Sequence, residues 1–280
     1  ARMKPLRPIS VVFRVAIPLL AAGCGRPAAP APTGDVRVVS LAPSLTEIVC
    51  AVGGADVLVG RTSACDYPPE VASVKVIGGF GAPSLELLTA AAPTLVLELD
   101  LQDATLGGKI DSLGIRREHV TCRMLDDIPP AILAVGSSIG RREQAQALAG
   151  DLRREIARLR AQAASETNRP SVYVEIWHDP IMTVGTNAFV SELVCLAGGR
   201  NVGDDVQKDY FQASPEWVVS RNPDVILCLY TSESGNARKA VMNRDGWQAV
   251  TAVTRGAVRD GLNKELILRP GPRVLESIGV

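Results

Sequence analysis

Aromatic side chains are scarce: four Phe, four Tyr and three Trp make up 4% of the 280 residues. Each ring therefore has to be weighed separately. Histidine occurs twice, as His119 and His178. Zinc and manganese sites draw on several imidazoles together with carboxylates, so two distant histidines make a poor metal set. No Cys-x-x-Cys pair occurs among the six cysteines, which argues against a thiolate zinc site. Thirty basic residues balance thirty acidic ones, so no net field favours nucleic acid as a partner. There is no phosphate-binding loop and no His-Glu-x-x-His pair, and Asp, Glu and His form no recognisable catalytic constellation. The expectation is a protein that is not an enzyme, with no catalytic residue, resident cofactor or metal.

What the chain has instead is a pattern stated twice. Thr46-Glu47-Ile48-Val49-Cys50-Ala51-Val52-Gly53-Gly54 is echoed by Ser191-Glu192-Leu193-Val194-Cys195-Leu196-Ala197-Gly198-Gly199. Ser84, Glu86 and Pro93 keep the spacing of Ser214, Glu216 and Pro223, and in both copies an apolar run follows the proline. The two elements come in the same order, which implies two related lobes. The cleft between lobes is where a ligand belongs.

The first 24 residues read as an export signal. Arg2, Lys4, Arg7 and Arg14 precede the apolar stretch Val15–Ala22, which is too short to span a bilayer. Leu20-Ala21-Ala22-Gly23-Cys24 resembles a bacterial lipobox with Cys24 as the lipidated residue, which places the protein in the periplasm or at the cell surface, anchored by lipid only. Residues 25–36, rich in Pro and Ala, cannot build a core and read as a tether. Such a compartment permits disulfides. Cys50, Cys195 and Cys228 lie in apolar helix or strand patterns and read as small buried hydrophobes. A bridge between Cys65 and Cys122 is possible but cannot be deduced.

Strands alternate with short helices after Arg37, which predicts parallel sheets covered on both faces. Ser44 is the expected cap of a helix running to Val52, and Gly53-Gly54 its stop. Between the repeats, Ala145, Leu148, Ala149, Leu152, Ile156 and Leu159 recur at helical spacing with no Gly or Pro from Asp151 to Asn168, so one long amphipathic helix joins the lobes. The expected division is an N-terminal lobe over 37–140, a linking helix over 141–166 and a C-terminal lobe over 167–280. The segment from Thr231 to Gly246 is polar and carries no clear pattern.

Glu86 and Glu216 each follow a helix-capping serine by two positions. A carboxylate in a first helical turn is favoured by the helix dipole, by roughly 0.3–1 kcal/mol. That alone does not explain why both lobes place Glu there. Two widely spaced acids could instead dock to paired basic sites on a partner.

Several segments, taken in order, resemble the cobalamin- and iron-complex-binding proteins of ABC importers. Arg37-Val38-Val39-Ser40-Leu41-Ala42-Pro43-Ser44-Leu45-Thr46-Glu47 looks like their opening, and Asp66-Tyr67-Pro68-Pro69-Glu70 like the next loop of the vitamin B12 members. Ile77-Gly78-Gly79-Phe80, Ser84-Leu85-Glu86, Trp247 to Gly256 and Arg269-Pro270-Gly271-Pro272-Arg273 fit the same family. The resemblance implies two pseudo-symmetric α/β lobes joined by one rigid helix, the architecture of class III periplasmic binding proteins. It implies a monomer that carries cobalamin or another corrinoid to the transmembrane permease subunits, with ferric siderophore or haem as the alternative cargo. Matched by motif, Tyr67 and Phe80 of the first lobe and Met182, Tyr210, Phe211 and Glu265 of the second fall at ligand-binding positions, and Glu86 and Glu216 at the permease-docking positions. Phe80, Tyr210 and Met182 stand where the best-known member has larger aromatics. Trp177 and Trp247 read as packing residues and Trp217 as core. His178 could reach the cleft. Arg269 and Arg273 could meet an anionic ligand or cap local carbonyls.

Overall fold

The computed structural model describes residues 36–99, 104–230 and 236–279. The expected signal with Cys24 lies outside the described residues, as does the tether up to Asp35. Among the described residues no helix is long and apolar enough to cross a membrane.

The first lobe is built from β1 (Val38–Ser40), α1 (Pro43–Ala51), β2 (Leu58–Arg61), the small hairpin β3 (Gly78–Gly79) and β4 (Ala82–Pro83), α2 (Leu85–Ala90), β5 (Leu95–Leu99), α3 (Ala104–Ser112), β6 (Arg116–Val120) and α4 (Ile128–Ser138). Its sheet runs β2-β1-β5-β6, all parallel. Val38, Val39, Val96 and Leu97 are wholly buried, as continuous apolar strands between two helical layers must be. Ser44 does not cap α1. Pro43 occupies the first turn, where its missing N–H costs nothing and its fixed φ suits a helix. The cap position therefore falls on Ala42, and the Ser44 hydroxyl is buried inside the helix without a hydrogen-bond partner.

α5 (Arg142–Ser165) is the expected connector, 24 residues long, or about 36 Å at 1.5 Å per residue. Its buried stripe is Ala145, Ala149, Leu152, Ile156, Leu159 and Ala163, with Leu148 half-buried. It lies tightly on α4: a Cβ on Gly136 would stand 2.2 Å from that of Ala145.

The second lobe comprises β7 (Ser171–His178), β8 (Ile181–Val184), α6 (Phe189–Leu196), β9 (Arg200–Asn201), β10 (Tyr210–Gln212), α7 (Pro215–Arg221), β11 (Val225–Cys228), α8 (Ala237–Met242), α9 (Thr251–Thr254), β12 (Val258–Arg259) and α10 (Lys264–Leu268). Its sheet runs β10-β8-β7-β11-β12, with β9 beside the start of β7. β8 is antiparallel to both its neighbours, and β11 lies parallel to β7 and β12. α8 occupies part of the patternless segment. Asn236 caps it by accepting from the Lys239 N–H at 2.7 Å.

The repeat is real in three dimensions. After α1 the Gly53 N–H donates to Cys50 O and the Gly54 N–H to Val49 O; after α6 Gly198 and Gly199 donate to Cys195 O and Val194 O. Gly53 and Gly198 have φ of +75° and +83°, the left-handed turn that favours glycine. Gly54 and Gly199 are held for space, since a Cβ would meet Ile139 Cδ1 at 2.6 Å in one lobe and Val172 Cγ2 at 2.8 Å in the other.

The second lobe does not keep its last residues to itself. Beyond α10 the tail runs between the two repeat helices: Arg273 reaches Glu47 of α1, while Ile278 lies near Val190 and Leu193 of α6. One apolar cluster consequently runs from Val38 and Leu97 through Leu152 and Ile156 of α5 to Val174 and Val184, with Val274 of the tail inside it. The outer sheet faces have cores of their own, around Leu41 and Ile110 in one lobe and Tyr173 and Trp247 in the other.

Candidate ligand site and docking surface

Parallel strands send their carboxyl ends into loops, and open α/β sheets bind ligands there. The chain leaving β2 carries Tyr67, and the two-residue turn of the β3–β4 hairpin is Phe80-Gly81. Both rings stand out from the surface, Tyr67 with 38% and Phe80 with 49% of its area exposed. Glycine with φ of +74° at position 81 lets this hairpin close so tightly.

In the second lobe strand alternation sorts the candidates. Tyr210 and Gln212 point to one face of β10 and Phe211 to the other. Cross-strand pairing puts Gln212 beside Met182, and Met182 beside Trp177. Tyr210, 41% exposed, lines an inter-lobe crevice of about 80 Å³ with Cys122, Arg123, Asp209 and Pro270. Phe211 instead packs edge-on against Trp217, ring centroids 5.3 Å apart, and belongs to the outer core of the lobe. Its expected ligand role therefore does not fit its position: a residue adjacent to Tyr210 in a strand must face the opposite way. Glu265 sits half-buried in the first turn of α10.

Tyr67 is braced from behind. The Arg273 guanidinium carbon lies 3.3 Å from its ring centroid, a cation–π stack. Arg273 is itself held by Glu47, with two hydrogen bonds of 2.9 Å to its carboxylate. Arg269 donates to Asp66 at 2.5 and 3.3 Å and to Ala64 O at 3.4 Å. Those hydrogen bonds hold the Asp66 carboxyl below its ordinary value. Both arginines are thus committed to groups of the first lobe, chiefly its carboxylates, rather than to an open anion site.

Glu86 and Glu216 occupy matching places. Ser84 caps α2 by accepting from Leu87 N–H at 3.2 Å, and Ser214 caps α7 by accepting from Trp217 N–H at 3.2 Å. Each glutamate lies in the first turn that follows and is exposed. Its own backbone N–H and the Ser214 hydroxyl hold the Glu216 carboxyl below its usual range.

The periplasmic binding protein family model matches residues 38–263. The chain belongs to that family. Its fold is the class III form, two lobes on one long helix. The vitamin B12-binding protein of Vibrio cholerae is 30% identical over 247 residues, covering 86% of each chain. An uncharacterised ABC transporter substrate-binding lipoprotein of Bacillus subtilis is 29% identical over 252 residues, 86% of this chain and 77% of its own. Among solved structures, the periplasmic vitamin B12-binding protein of V. cholerae superposes with a TM-score of 0.73 at 29% identity, over 87% of this chain and 93% of its own. The apo periplasmic heme-binding protein of Roseiflexus sp. RS-1 does so with 0.77 at 27%, over 88% and 95%. This binding protein is the substrate-binding component of an ABC importer, a transport component rather than an enzyme.

Other features of the binding protein escaped the sequence reading. Glu47 and Glu192 are equivalent in the repeat, and each reaches away from its own helix. Glu47, 4% exposed, takes the tail arginines. Glu192 accepts from the Leu125 N–H of the first lobe at 3.0 Å and from Arg160 of α5 at 3.4 Å. Trp177 is not packing: it is 49% exposed. Trp247 is wholly buried, as expected, and Trp217 half-buried. Cys195 is exposed rather than buried, and Cys65 and Cys122 do not bridge each other, Cys122 instead donating to Pro270 O at 3.0 Å. Gly136-Ser137-Ser138-Ile139-Gly140 has the spacing of a nucleophile elbow, but it ends a helix instead of joining a strand to one. Its Ser138 is tied to Glu118 and Arg116 at 3.0 Å each.

Proposed function

We propose that this chain captures cobalamin or a related corrinoid between its lobes and delivers it to a membrane permease. The observation that carries the reading is that Tyr67, Phe80 and Tyr210, three of the chain's few rings, stand exposed, Tyr210 in a crevice between the lobes. A large flat ligand gains from such faces more than a small polar one does. The V. cholerae vitamin B12-binding protein supports the choice of cargo. Cobalamin here is cargo and not a cofactor. Glu86 and Glu216 dock on the permease, one from each lobe, through charge complementarity. Cys24 carries a lipid that holds the protein at the outer face of the membrane.

Haem is the second reading, favoured by the fold shared with the Roseiflexus heme-binding protein. An anionic siderophore is less favoured, because Arg269 and Arg273 already serve Asp66 and Glu47.

The deciding experiment is calorimetric titration of the folded protein with cyanocobalamin, with the corrin absorption spectrum recorded alongside. Saturable binding near one to one is expected. Absence of binding to any corrinoid, together with binding of hemin, overturns the corrinoid reading.

A further inference from the structure

The bulge in β7 is where the second lobe departs from a plain strand. Register shifts between Glu175 and Trp177, and a bulge of this kind re-aims side chains. It brings Trp177 opposite Met182, in the row that ends at Gln212. Trp177 is the one tryptophan with a largely exposed indole, and its N–H is already satisfied by Asp179 O at 2.8 Å.

Its inner face rests on a rigid footing. His178 lies against it, ring centroids 5.4 Å apart, and stacks in turn on Tyr230 at 5.0 Å with an interplanar angle of 19°. The Tyr230 hydroxyl donates to Glu175 at 2.7 Å. Glu175, with no exposed area, also takes both arms of Arg244 at 2.7 and 2.8 Å and the Tyr173 hydroxyl at 3.3 Å. A carboxylate that accepts four hydrogen bonds in the interior fixes its partners strongly. The footing orients the stack, and the indole is its solvent end.

The geometry points to Trp177 as a ligand-binding residue of the second lobe, presenting a fixed aromatic face to a planar conjugated macrocycle. This rests on the reading of the cleft as a macrocycle site. It adds a ring from β7 that the motif-matched positions do not include. The chemistry selects for flatness and not for charge: a preset ring whose N–H is satisfied internally offers stacking and area with little ordering cost on binding.

The test uses the whole protein with cyanocobalamin and, separately, hemin as probes. Kd is measured for wild type, Trp177→Phe and Trp177→Ala, with melting temperatures compared to verify the fold. Oxidation of tryptophan by N-bromosuccinimide is mapped by mass spectrometry with and without ligand. Trp177→Ala is expected to weaken binding roughly 30-fold, as removal of a buried aromatic anchor does. Trp177→Phe keeps a ring and should lose far less. Trp177 should oxidise first in the free protein and be protected by the bound macrocycle. If wild type binds cyanocobalamin and Trp177→Ala binds it equally well, the inference is overturned while the functional reading stands. If wild type binds only hemin and loses it on Trp177→Ala, the corrinoid reading falls and the inference holds. Binding of neither probe overturns both.

Discussion

Glu47 and Arg273, 226 positions apart, meet through two hydrogen bonds of 2.9 Å, and the same guanidinium lies over the ring of Tyr67. One residue pair therefore fastens the tail of the chain to α1 and sets the back of a candidate ligand ring.

Arg273→Met should strip Glu47 of its bidentate partner and leave a carboxylate 4% exposed, with Arg269 no closer than 3.7 Å. Breaking a buried pair from one side costs about 3–5 kcal/mol. Urea denaturation should show that loss, and the double variant Glu47→Gln with Arg273→Met should recover much of it. A single variant as stable as wild type would show that the pair contributes nothing to the fold.

The Glu175 network makes a second, separable prediction. Tyr230→Phe keeps the ring under His178 but removes one hydrogen bond to a charged group, a loss of about 1.5–3 kcal/mol. Arg244→Met should cost more, because it leaves a fully buried carboxylate without its cation. Equal stability of the two variants in guanidinium titration would contradict this order. In the intact protein, burial and then the Glu175 charge push the Tyr230 and Tyr173 phenols well above their usual values.

Acid should loosen the loop that carries Tyr67. Asp66 has its carboxyl pKa depressed in the fold, first by hydrogen bonds from Arg269. A depressed carboxyl adds stability above its unfolded pKa and loses it as pH falls through the folded one. The grip is therefore complete at neutral pH and is lost only below the ordinary Asp range, as pH falls through the lowered value. Hydrogen-exchange protection of residues 64–67 and 269–273 should drop on acidification before global unfolding. Asp66→Asn should lack this pH dependence. Protection that holds unchanged until the protein unfolds globally counts against it.

Docking and capture should separate cleanly. Glu86→Ala with Glu216→Ala removes two exposed charges that are not among the candidate ligand residues, so the Kd for ligand should stay within about twofold while uptake by cells is lost, as expected when charge complementarity to a partner is removed. Transport at the wild-type rate would refute the docking assignment.

The lobes, the linking helix and the two glutamate positions were legible in the sequence because each rests on local spacing: Gly-Gly after a helix, Ser two before Glu, apolar residues at 3.6. The arginine clamps were not. Arg269 and Arg273 meet Asp66 and Glu47 across more than two hundred positions, and no local pattern marks such a partner. Trp177 was misread for another reason. A one-residue bulge redirects a strand side chain, and hydrophobic alternation carries no sign of it. Phe211 shows the same rule in reverse, since alternation alone places it opposite Tyr210.

The route of the tail bears on how the molecule moves. A body hung from a single rod can swing and turn in any direction. One fastened at a second point keeps only rotation about the line through both. Here α5 is the rod, and the Glu47–Arg273 fastening is the second point. Two such fastenings restrict how the lobes can turn against each other. On the docking proposed for Glu86 and Glu216, release of the cargo would then draw on work that the permease applies to the two lobes.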